Sequence, residues 1–97
     1  MSCAVKVITV KPGGKLSLQY HHKRDELWVV LDPGVQVELD DRILHPKPEE
    51  KVFIPRGTAH RLSVCGDSPA RILEISLGEF DEEDIVRLED VYGRVAP

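Results

Sequence analysis

Apolar residues in this chain come in clusters of four to eight, rich in Val, Ile and Leu, with Pro, Gly and Asp between them. Clusters that short suit strands better than helices, which need three or more turns to show their period. Strands are expected over residues 4–10, 15–20, 27–31, 35–39, 51–54, 60–64 and 70–77. The separators Lys11-Pro12-Gly13-Gly14, Asp32-Pro33-Gly34, Asp40-Asp41 and Cys65-Gly66-Asp67-Ser68-Pro69 are turn-formers. Seven short strands in under eighty residues favour a closed barrel or sandwich, because an open sheet of that size would leave unprotected edges.

After Gly78 the pattern changes. Asp81, Glu82, Glu83 and Asp84 crowd four carboxylates into what reads as a first helical turn, Ile85, Leu88 and Tyr92 fall on one face, and Gly93 supplies a stop. Glu83 with Arg87 and Asp90 with Arg94 have i,i+4 spacing. The expectation is an all-β domain closed by a short C-terminal helix. Ninety-seven residues support one core and not two, so residues 1–97 are read as a single domain.

A net charge of −4 with no basic stripe argues against a nucleic-acid partner. No apolar run approaches the ~18 residues that would cross a bilayer. The first six residues lack the pattern of a signal peptide, so a cytoplasmic location is expected, with Cys3 and Cys65 reduced and far from any CxxC spacing.

Two segments concentrate polar donors: Gln19-Tyr20-His21-His22-Lys23-Arg24-Asp25-Glu26 and Pro55-Arg56-Gly57-Thr58-Ala59-His60. Side chains alternate along a strand, so Lys15, Ser17, Gln19 and His21 share one face and Leu16, Leu18 and Tyr20 the other. A polar face ending in a histidine, opposite an apolar one, reads as the lining of a wet cavity. Glu26 and Trp28 share a face in the following strand, with Trp28 read as core. His22, pointing away from His21, and His45, beside two prolines, read as structural or surface residues.

These segments resemble the two motifs of the cupin superfamily, G-x5-H-x-H-x3,4-E-x6-G and G-x5-P-x-G-x2-H-x3-N. The first runs here through Gly13, Gln19, His21, Glu26 and Gly34, the second through Pro55, Gly57 and His60. Gln19 replaces the first His, Gly34 comes one residue late, Glu49 stands where the second motif has Gly, and Val64 replaces the last Asn. Alignment on Tyr20 and His22 is the alternative register, and a neutral tyrosine is the poorer ligand. The run Gln19, His21, Arg24, Glu26, Trp28 is similar to the cupin-type (type II) mannose-6-phosphate isomerase domain, often fused behind a mannose-1-phosphate guanylyltransferase. The lead-in residues 12–18 and the tail 75–94 share that similarity.

The resemblance implies a small cupin-type β-barrel, or jelly roll, in which Gln19, His21, Glu26 and His60 hold one divalent metal. Zinc suits that donor set, with iron, manganese, cobalt and nickel left open. It implies an isomerase interconverting mannose 6-phosphate and fructose 6-phosphate, with a phosphorylated sugar as partner and a homodimer as assembly. Phosphate binding and charge stabilisation would fall to Lys15, Arg24, Arg56 and Arg87, and the base to Asp84, Asp90 or a metal-bound hydroxide. Two other readings are a metal- and sugar-binding cupin without turnover and a metal-dependent oxygenase; the polar Lys15-Ser17-Gln19 face fits a polyhydroxylated ligand better than oxygenase chemistry.

Overall fold

The computed structural model describes residues 3–79, 81 and 83–90. Nine strands run in the order β1 (Cys3–Val10), β2 (Leu18–Tyr20), β3 (Arg24–Val30), β4 (Val35–Leu39), β5 (Arg42–Leu44), β6 (Lys51–Ile54), β7 (His60–Val64), β8 (Ala70–Gly78) and β9 (Val86–Glu89). They form two antiparallel sheets, β1-β8-β3-β6 and β5-β4-β7-β2-β9. Between the sheets lies one core, with Val30, Val37, Ile54, Leu62 and Ile72 at its centre.

Alternation explains the burial. In β3, Arg24, Glu26, Trp28 and Val30 point inward, and in β8 so do Ala70, Ile72, Glu74 and Ser76. These two strands therefore give aliphatic residues to one end of the sandwich and polar residues to the other. The site lies at the polar end.

Four expectations about the elements change. The second strand forms a ladder only over Leu18–Tyr20, with Lys15 joined to Ser63 by an isolated bridge. The third begins at Arg24, because β8 runs on to Gly78 and pairs with it there. The short β5 was missed: Arg42-Ile43-Leu44 is only three residues long.

The expected helix is the fourth correction. Val86–Glu89 is a strand, and no helix occurs among the described residues. Its backbone pairs with β2, Gln19 facing Arg87 and Tyr20 facing Val86, which gives an otherwise open edge its hydrogen bonds. The carboxylates before it do not serve a helix dipole: Asp84 instead accepts from the amides of His22 and Lys23. The proposed i,i+4 partner of Glu83, Arg87, lies in the ladder, and Tyr92, Gly93 and Arg94 fall outside the described residues.

Two backbone conformations bear on the site. Glu49, where the cupin motif places glycine, has a φ of 75°, so the left-handed turn is kept by a residue that adopts it less readily. Gly78 has a φ of 126°, and a Cβ there would sit 2.7 Å from the Lys23 carbonyl oxygen. Glycine thus lets the end of β8 close against the loop that carries His21.

Candidate metal centre

His21, Glu26 and His60 come from the loop after β2, from β3 and from the start of β7, and the fold brings one donor atom of each within 4.8 Å of the others. All three are buried, at 2%, 1% and 1% exposure. Both histidines are held by their Nδ1 atoms. His21 Nδ1 lies 2.9 Å from the Asp84 backbone oxygen and His60 Nδ1 2.9 Å from that of Thr58. A carbonyl only accepts, so each Nδ1 carries the hydrogen and each Nε2 turns its lone pair to the centre.

Glu26 faces both rings. Its Oε2 is 3.3 Å from His21 Nε2 and its Oε1 3.6 Å from His60 Nε2. Arg24 Nε donates to Oε2 at 3.0 Å and Trp28 Nε1 to Oε1 at 3.1 Å, which fixes the carboxylate plane. Gln19 adjoins these three: its Nε2 is 3.3 Å from His21 Nε2, and its Oε1 accepts from the Ser17 hydroxyl at 2.7 Å. Turning the amide over would aim Oε1 at the centre, with Ser17 accepting instead of donating.

Burial holds the histidines neutral. It lowers the pKa of His21 to about 4, with the nearby Arg24 and His60 charges acting the same way against the hydrogen bond to Asp84. His60 is lowered for the same first reason, burial. At neutral pH two unprotonated imidazoles face one carboxylate. His60 Nε2 has no hydrogen-bond partner although it is buried, an arrangement that costs free energy unless a cation or water takes the lone pair. A donor set of nitrogens and carboxylate or amide oxygens, without thiolate, fits zinc or another divalent first-row metal.

A cavity of about 320 Å³ adjoins this centre. Of the sequence candidates, Gln19, His60, Arg24 and Arg87 line it. Lys15 is exposed and lies outside the lining. Arg56, also exposed, donates to Asp25 through its backbone amide at 2.8 Å and its Nε at 3.3 Å, tying the Pro55-Arg56-Gly57 turn to β3. Asp84 spends its carboxylate on two backbone amides, which with burial opposing them hold its pKa below the ordinary value.

Sequence reasoning missed Lys6 and Glu74, Cα partners on β1 and β8 that both line the cavity. Lys6 Nζ lies 3.3 Å from Glu74 Oε2. Burial raises the Glu74 pKa, helped by the charge of Glu26 and opposed by Lys6. The available signal was parity: Glu74 and Ser76 occupy the positions that Ala70 and Ile72 mark as inward.

Two antiparallel sheets enclosing a histidine–carboxylate centre define a cupin, or double-stranded β-helix, domain. The capsular polysaccharide assembling protein CapF from Staphylococcus aureus superposes with a TM-score of 0.76 at 26% identity, over 88% of this chain and 28% of that one. A cupin 2 domain-containing protein from Halorhodospira halophila gives 0.74 at 24% identity, over 87% of this chain and 62% of that one. More narrowly, the family described as mannose-6-phosphate isomerase C-terminal matches residues 1–90, and the chain belongs to that family. The alginate biosynthesis protein AlgA of Pseudomonas aeruginosa is 47% identical over 95% of this chain and 19% of its own length. The xanthan biosynthesis protein XanB of Xanthomonas campestris is 45% identical over 93% and 20%, and the mannose-1-phosphate guanylyltransferase of Escherichia coli 44% over 94% and 19%.

The chain therefore spans about a fifth of the length of these curated relatives. That corrects the expected function. An isomerase of mannose 6-phosphate and fructose 6-phosphate complete within this fold, or a free-standing binding cupin, is not what the relatives are; they are long biosynthetic proteins, one named for guanylyl transfer, that the chain matches over a single domain.

Proposed function

We propose that this domain supplies the mannose-6-phosphate isomerase site of a larger mannose-phosphate enzyme, with one divalent metal, zinc by its donor set, held by Gln19, His21, Glu26 and His60. The observation that carries the reading is the pair of Nδ1-anchored histidines whose Nε2 atoms converge on Glu26, with that of His60 buried and unsatisfied. When bound, the metal would polarise oxygens at the reducing end of the sugar. Arg24 and Trp28 hold the Glu26 carboxylate in plane. Glu74, in the cavity lining, is the carboxylate placed to accept hydrogen from a sugar hydroxyl, while the amide-bound Asp84 is a lock and not a base. Ile8, Leu16, Trp28, Leu62 and Ile85 add apolar walls to the cavity.

Calorimetry on the purified protein tests this. Zinc should bind once per chain, the zinc-loaded protein should bind mannose 6-phosphate, and His60→Ala should abolish both. Zinc binding that survives His60→Ala, or a zinc-loaded protein that ignores the sugar phosphate, overturns the reading.

A homodimer is part of the proposal. The outer face of the β1-β8-β3-β6 sheet is apolar where a sheet facing water alternates: Val5, Val7 and Phe53 are 60%, 55% and 50% exposed, and pairing sets Val5 beside Ile75, Leu27 and Phe53, with Val7 beside Leu73 and Val29 in the next row. Its two ends carry paired charges, Asp25 with Arg56 and Asp32 with Arg71, and the exposed Lys51 closes the second row beside Val29. A cytoplasmic location is proposed as well, supported by two exposed, unpaired cysteines. No helix among the described residues is long and apolar enough to cross a membrane.

A further inference from the structure

His21 belongs to two structures at once. Its Nε2 turns to the metal centre, while its Nδ1 donates to the Asp84 backbone oxygen at 2.9 Å, and Asp84 opens the segment that leads into β9. The Asp84 carboxylate adds bonds from the His22 and Lys23 amides, at 3.0 and 2.8 Å. Gln19 on β2 faces Arg87 across the β2–β9 ladder. Residues 84–89 are thus fastened beside two of the residues assigned to the metal, and from among them Ile85 and Arg87 form part of the cavity wall.

The rest of their attachment is weak. Neither β2 nor β9 gives a side chain to the hydrophobic core cluster. Their ladder pairs Leu18 with Glu89, Gln19 with Arg87 and Tyr20 with Val86, and a register shift passes over Leu88, which is 45% exposed. On its other side β2 meets β7 at one pair, Gln19 with His60, helped by the Leu16 amide on the Leu62 carbonyl at 3.0 Å. Two ion pairs, Lys23 with Asp81 at 3.5 Å and Arg61 with Glu89 at 3.8 Å, end on carboxylates open to water, which weakens them. An element held by polar contacts, with little buried apolar area, opens locally while the core stays closed.

The residues assigned to the metal span this weak seam. Gln19 and His21 lie on and just after β2, His60 on β7, and Glu26 on β3 in the opposite sheet. An ion held by all four cross-links the β2–β9 ribbon to both sheets. We propose that residues 84–89 form a metal-linked strap: metal binding closes it over the cavity, and its closure in turn tightens metal binding. The inference rests on the functional reading above and goes beyond it by giving the cavity a wall that is complete only in the metal-loaded protein. Linkage makes the effect reciprocal, so whatever factor the metal adds to strap closure, the strap adds to metal affinity, in the usual range of about 5–150-fold.

The test is residue-resolved hydrogen exchange on the protein with and without zinc, alongside zinc calorimetry. The His22 and Lys23 amides, which bond to Asp84, report strap closure directly. In the metal-free protein they should exchange about a hundredfold or more faster than the β3–β8 ladder amides, and zinc should slow them about tenfold or more. Val86→Pro combined with Arg87→Pro removes a ladder donor whichever of the two amides faces β2; its zinc affinity should fall about tenfold or more while the β3–β8 amides stay protected. Loss of the Arg87 charge from the cavity would by itself favour a cation, so the direction of the change separates the strap from simple electrostatics. The strap is refuted, and the metal site stands, if zinc binds but the His22 and Lys23 amides of the metal-free protein exchange in step with those of β3 and β8. The same holds if zinc leaves their rates unchanged, or if the double variant binds zinc as wild type does. If wild type takes up no zinc, both readings fall together.

Discussion

Replacing Asp84 with alanine should loosen the metal centre from behind. The Asp84 carboxylate, 8% exposed, accepts from the His22 amide at 3.0 Å and the Lys23 amide at 2.8 Å, and its backbone oxygen holds His21 Nδ1 at 2.9 Å. One residue therefore grips three successive positions of the loop between β2 and β3. Hydrogen bonds to a charged acceptor contribute roughly 1.5–3 kcal/mol each, and the two amides regain water in part once the carboxylate is gone, so the expected cost is about 3 kcal/mol. At about 4–8 °C per kcal/mol for a domain of this size, Tm should fall by roughly 12–24 °C. Zinc affinity should fall about 10–100-fold, the usual effect of losing support behind a ligating histidine. Asp84→Asn, which keeps one acceptor oxygen, should cost about half as much. Urea unfolding of the metal-free protein and competitive zinc titration read the two effects separately. A loss under about 1 kcal/mol with unchanged zinc affinity would show that the contacts to His22 and Lys23 are incidental.

Acid should destabilise the metal-free protein well above the carboxylate range. His21 stays neutral in the fold down to about pH 4 but protonates near its ordinary 6.5 when unfolded, so between those values the unfolded state binds more protons. Stability is complete above about pH 6.5 and falls as pH drops, by up to roughly 3 kcal/mol at pH 4 from this residue, with His60 adding in the same direction. Urea midpoints that stay level from pH 7.5 to 5 would contradict neutral, buried histidines. For the outer face of the β1-β8-β3-β6 sheet, the double substitution Val7→Lys and Phe53→Lys should convert a dimer into a folded monomer in sedimentation velocity; a wild-type protein that sediments as a monomer at high micromolar concentration removes the dimer from the proposal.

The site was legible where it depended on local spacing. Gln19, His21 and Glu26 lie within eight residues on a strand, a loop and a strand, so parity alone aimed Gln19 and His21 to one side and put Glu26 beside Trp28. Arg56 and Lys15 were candidates because they stand near ligands in sequence, yet Arg56 lies in a turn tied to Asp25 and Lys15 precedes the β2 ladder, and both stand outside the cavity. Asp84 shows the reverse case. Four acidic residues in a row have the composition of a helix start, and nothing local revealed that two unpaired amides sixty residues earlier would claim one of them.

Sequence alone determined a largely β fold, a polar strand face opposite an apolar one and a nitrogen- and oxygen-donor metal motif, because strand parity and turn chemistry act over a few residues. Only the tertiary structure decided that residues 86–89 complete a sheet, that Lys6 and Glu74 enter the cavity, and that Arg87 stands in line with Gln19 and His60. Each of these depends on pairing between segments some forty to seventy residues apart, where the free backbone groups and apolar faces of one strand select a partner that no short window of sequence contains.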